Sequence, residues 1–96
     1  MAIGVIFEIP GVTREQYEVS AKKVWKGPGN KLADWPVEGV LAHMAGPMPN
    51  GWRVVDVWES EAAFERFGKV LGPIMKESGF PVVEPKIFPL AEFIKD

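Results

Sequence analysis

The chain has one histidine, His43, and it is the residue whose ordinary pKa suits proton transfer near neutrality. It sits in GVLAHMAG, among apolar neighbours. Asp56 sits in WRVVDVW, again among apolar residues, where a carboxylate needs a partner or a path to water. Paired across two strands, they would form a base and the group that fixes its tautomer. No serine or cysteine nucleophile is evident beside them. Two readings of His43 stand open: a hydrogen-bonded core or interface histidine, and a general base or polar anchor in a cleft. Trp25, Trp35, Trp52, Trp58, Phe64 and Phe67 are the aromatic candidates. Such residues ordinarily build a core, but Trp35, Trp52 and Trp58 suit the walls of a pocket for a flat ligand. One histidine and no cysteine leave no multi-ligand metal site. Dinucleotide fingerprints, phosphate loops and paired-carboxylate spacings are missing too.

The elements that must position these groups are legible in outline. Residues 2–9 alternate as a strand, with Ile3, Val5, Phe7 and Ile9 on one face and Ala2, Gly4, Ile6 and Glu8 on the other. Gly4 is either weak strand filler or a place where a helix or ligand comes close to the backbone. Thr13-Arg14-Glu15-Gln16 fits a capping box and predicts a helix over 14–25, with Tyr17, Ala21, Val24 and Trp25 on its apolar stripe. Residues 26–38 read as a long Gly- and Pro-rich loop carrying Leu32 and Trp35, either as a plug for the core edge or as the flank of a pocket. Residues 39–46 are a second strand, and Met48-Pro49-Asn50-Gly51 turns it into a third over 52–58. That hairpin places His43 and Asp56 on one face if its register is regular; a bulge at Gly51 would part them. Pro47 predicts broken or edge pairing near the turn.

Ser60 caps a second helix whose apolar side carries Phe64, Phe67, Leu71 and Gly68, interrupted at Gly72-Pro73 and resumed over 73–78. A fourth strand is expected over 82–88, off-centre because of Pro85, followed by an apolar tail with Leu90, Phe93 and Ile94. Arg53 is expected to pair with Glu8 or Glu84, or to face a partner subunit. The order strand, helix, strand, strand, helix, strand is the ferredoxin-like α+β arrangement, βαββαβ. Both helices would cover one sheet face. The other face is substantially apolar and has no cover, which predicts a homodimer.

The 96 residues make one domain, 1–96. A net charge of −2 leaves no electrostatic footprint for nucleic acid. No apolar run approaches the ~20 residues of a membrane span. The first residues read as a strand rather than a signal peptide. The absence of cysteine fits a cytoplasmic setting.

The order of elements, the length and above all Val57-Trp58-Glu59-Ser60-Glu61-Ala62-Ala63-Phe64 resemble the antibiotic biosynthesis monooxygenase-like proteins of the dimeric α/β-barrel superfamily. The resemblance implies two sheets packed face to face in a homodimer, and a small-molecule cleft between each sheet and its helices. It implies cofactor-independent oxidation of a small aromatic or polyketide-type molecule, with no flavin or metal. In haem-degrading relatives the matching tryptophan, here Trp58, lies at the substrate; the asparagine and histidine those relatives also use have no counterpart in the first strand and second helix. The expected site is His43 and Asp56 as catalytic groups, with Trp35, Trp52 and Trp58 around the substrate. The alternatives are a non-catalytic binding or structural protein of the same fold, and a cyclase or isomerase that uses His43.

Overall fold

The computed structural model describes residues 1–25 and 31–94. The Gly-Pro-Gly part of the predicted loop lies outside them. Strand β1 is Ile3–Pro10, helix α1 is Arg14–Val24, β2 is Val40–Met48, β3 is Gly51–Trp58, α2 is Glu61–Glu77 and β4 is Lys86–Pro89. A single 3-10 turn, Leu32–Asp34, precedes β2. The sheet order is β2-β3-β1-β4, antiparallel at every pairing. Each β-α-β unit leaves a gap that a strand of the other unit fills. This is the ferredoxin-like βαββαβ fold.

Side-chain alternation decides which face is covered. Ile3, Val5, Phe7 and Ile9 of β1 are buried, as are Trp52, Val54, Asp56 and Trp58 of β3. They meet Val24 of α1 and Ala63, Phe64 and Phe67 of α2 in one core. The capping box of α1 is complete: the Gln16 N–H donates to Thr13 Oγ1 at 3.2 Å and the Thr13 N–H donates to Gln16 Oε1 at 2.9 Å. At α2 the Ala63 N–H donates to Ser60 Oγ at 3.1 Å.

Four local expectations are corrected. Helix α2 does not break at Pro73 but runs through it to Glu77. Gly72 and Pro73 are both exposed there, so water can take the carbonyl that proline leaves without a donor. Gly68 faces solvent, where an added Cβ would meet nothing within 4 Å, instead of lying against the sheet. Leu71 is half-buried, not buried. The fourth strand starts only after Pro85, because proline has no N–H for the ladder; the strand is an edge, as Pro85 required.

The opposite sheet face carries Ile6, Val55, Val57, Ala42, Met44 and Phe88. Met44 is 57% exposed and Phe88 40%. Phe88 lies over Gly4, where an added Cβ would come within 2.5 Å of its ring. The glycine is thus a close-approach position, but for a ring of the neighbouring strand and not for the expected helix or ligand. At one end of this face Glu8 accepts from Arg53 Nη2 at 2.8 Å and from Lys86 Nζ at 3.1 Å. Both cations hold the Glu8 carboxyl below its usual range, Arg53 most strongly.

Candidate active site

The hairpin register brings the two candidate catalytic residues together. Pro49 and Asn50 form a two-residue turn, with Asn50 taking the left-handed conformation at φ 61°. Asparagine, after glycine, is the residue type that tolerates this conformation. The ladder then runs regularly from Met48↔Gly51 to Ala42↔Val57, and His43 stands directly opposite Asp56. The one bulge lies between Val40 and Ala42, beyond both residues. It therefore leaves them on one face, the helix-covered one.

Asp56 is 2% exposed, and its Oδ1 lies 2.6 Å from His43 Nδ1. A buried carboxylate can only accept, so Nδ1 carries the proton and donates. That leaves Nε2 as an acceptor, and it meets the Tyr17 hydroxyl at 2.9 Å. Tyr17 therefore donates to His43, and His43 donates to Asp56. Burial, and then the negative charge of Asp56, push the Tyr17 hydroxyl up from 10 to about 12. The phenol keeps its proton throughout the neutral range, so it passes charge along the chain rather than holding it.

Aromatic rings fix this chain from the sides. Trp35 stands edge-on to the imidazole at 5.0 Å and Trp25 at 6.4 Å. Trp52 lies against the Tyr17 ring at 5.2 Å. All three polar residues border a cavity of about 70 Å³ between the sheet and the two helices. Among the described residues its walls are otherwise apolar side chains, including Phe7, Val54, Phe67, Leu71 and Met75, with Ser20 as the other hydroxyl.

Of the predicted substrate-side tryptophans, Trp35 borders the cavity, and Trp52 and Trp58 do not. Trp58 shares a face with Asp56 but lies two residues further along the strand, roughly 7 Å away. Trp35 touches both His43 and Trp58, and so stands between Trp58 and the cavity. Trp58 is fully buried against Phe64 and Phe67. Trp52 lies four residues the other way and is covered by Tyr17.

Tyr17 is the functional-looking residue that the sequence reading left in the core. Its signal was a hydroxyl on an otherwise apolar helix stripe, in step with Ala21 and Val24. Among the described residues no group of three histidine, cysteine, aspartate or glutamate side chains converges to hold a metal. No described helix is long and apolar enough to cross a membrane.

The architecture, a ferredoxin-like α+β sheet with a cleft under two helices, is the fold of the antibiotic biosynthesis monooxygenase-like proteins of known structure. Particular solved structures share it. A Deinococcus radiodurans protein, described as a candidate antibiotic biosynthesis monooxygenase, superposes with TM-score 0.61 at 11% identity, over 100% of this chain and 98% of that one. SnoaB, a cofactor-independent oxygenase from Streptomyces nogalater, gives 0.59 at 14% identity, over 99% and 96%. The structural-genomics protein YjcS gives 0.60 at 11% identity, over 94% and 99%. No protein-family model matches the chain, and no curated protein matches its sequence. At these identities the likeness is one of fold.

Proposed function

We propose that this chain is a cofactor-independent monooxygenase-like enzyme whose Tyr17–His43–Asp56 chain removes a proton from a small hydroxylated aromatic molecule. The observation that carries the reading is the unbroken hydrogen-bonded sequence from a buried carboxylate to a hydroxyl on the cavity wall. A substrate hydroxyl gives its proton to Tyr17 Oη as the Tyr17 proton moves to His43 Nε2. The imidazolium formed is paired with Asp56. The substrate anion then gives one electron to dioxygen. Recombination of the substrate radical with superoxide forms a carbon–oxygen bond, and the peroxide takes up a proton from His43. Loss of water leaves a carbonyl at the oxidised carbon. The substrate supplies the electrons, and the protein supplies the base. SnoaB, of the same fold, is named as an oxygenase of this type.

Oxygen uptake with a candidate quinol tests the proposal. We expect uptake that is lost in His43→Gln. Saturable binding with neither uptake nor product would point instead to a binding protein. A second reading, proton transfer without oxygen as in an isomerase or cyclase, draws on the same relay, since it is a complete proton carrier by itself.

The same proposal includes a homodimer of a single domain, 1–96, in a cytoplasmic setting. The dimer's support is the open face, where Met44 and Phe88 are exposed. A second copy laid on that face would bury it, in the obligate size class above ~2,000 Å² in total.

A further inference from the structure

We infer that the cleft selects a compact, uncharged, single-ring phenol or enol, and rejects carboxylates, phosphates and fused-ring molecules. This rests on the proton relay proposed above and narrows its substrate.

Charge is the first ground. Asp56, 2% exposed, puts one negative charge behind the cavity. His43 offsets it at most once. Among the described residues no lysine or arginine borders the cavity. Lys23 of α1 lies 3.5 Å from Glu77, and Arg53 is held by Glu8 on the other sheet face. What the described residues offer is thus neutral or negative, and an anion among them would be stripped of water without a cation in return.

Hydrogen-bond capacity is the second ground. Tyr17 spends its proton on His43 Nε2, so its oxygen presents only lone pairs to the cavity. It calls for one donor from the ligand, and a hydroxyl supplies it. A ligand without one leaves that oxygen unpaired in an apolar cleft.

Size is the third. The described residues enclose about 70 Å³, whereas a cavity of roughly 150 Å³ admits benzene. One ring fits only if a wall gives way. Met75, half-buried and unbranched, is suited to yield. A fused tricycle would need a different cleft.

The test is a titration of the full chain at pH 7, read by tryptophan fluorescence, because Trp25 and Trp35 border the cavity. The probes are phenol, toluene, benzoate and 1,8-dihydroxyanthrone. Phenol should bind at least ~10-fold more tightly than benzoate, and several-fold more tightly than toluene. In Tyr17→Phe the advantage of phenol over toluene should vanish. Benzoate binding as well as phenol, or the anthrone binding where phenol does not, would overturn the inference. The wild-type series decides this even if Tyr17→Phe fails to fold. Selective phenol binding with no turnover of any phenol or enol would leave this inference standing and sink the proposed reaction. His43-dependent turnover of a carboxylated or fused-ring compound would do the reverse.

Discussion

Asp56, His43 and Tyr17 work as a unit, because each orients the next. Asp56→Asn removes the charge that pairs with the imidazolium and frees the imidazole to change tautomer. We expect a fall in kcat of ~10²–10⁴-fold, the usual range for an acid–base group, with near-native circular dichroism. Tyr17→Phe should lower kcat within the same range, measured on the same substrate. Tyr17 also makes a prediction that needs no substrate. Its folded pKa, about 12, lies above the ordinary value of 10. The folded chain therefore keeps this proton where the unfolded chain has begun to lose it. Below about pH 10 the group adds no pH dependence, and from there to about 12 it lowers stability as pH rises. Urea midpoints across that window should fall less steeply for Tyr17→Phe than for the parent chain. Equal slopes would show that the hydroxyl is not buried as described.

The elements hold these residues through caps, alternation and register. Phe67 is 4% exposed and packs on both Trp35 and Trp58. Phe67→Ala should therefore cost ~3–5 kcal/mol in a denaturation experiment. Ser60→Ala should cost ~1 kcal/mol through the lost cap of α2. Much of this level was legible in the residues themselves. Period-2 alternation grouped Ile3, Val5, Phe7 and Ile9 on one face of β1, and the Thr13–Gln16 spacing identified the start of α1. What sequence could not show was how the elements dock. Nothing in the stripe of α1 says that Tyr17 reaches β2, because that depends on where the helix lies over the sheet. The hairpin register was ambiguous because two neighbours, Asn50 and Gly51, can both take the left-handed place. Trp58 carried the family resemblance, yet it fills the core, since alternation gives the face of a strand and not the distance along it to the cavity. Gly72-Pro73 looked like a helix stop, but on the solvent side of α2 a proline costs the helix less than its pattern suggests.

At the scale of the whole molecule, one sheet face is sealed by helices and the other is apolar and open. Glu8, Arg53 and Lys86 form a charged cluster at one end of that open face. A second copy would meet both the apolar patch and this cluster. Sedimentation at micromolar concentration should give twice the 10.7 kDa mass of the chain. Met44→Asp, which puts a charge on an open-face residue, should shift it toward monomer. A folded monomer in the unaltered chain would contradict the dimer and leave the cleft, on the other face, untouched.

The relay depends on the direction of the hydrogen bonds through His43, and one spectrum reads it. The chain has a single histidine, so its ring nitrogens are assigned without ambiguity. Nitrogen-15 NMR of the imidazole near pH 7 should show Nδ1 protonated, with a strongly downfield proton that disappears in Asp56→Asn. Nε2 should be unprotonated and shifted by Tyr17→Phe. A neutral ring with the proton on Nε2, indifferent to Asp56, would mean that no relay runs from Tyr17 to the buried carboxylate.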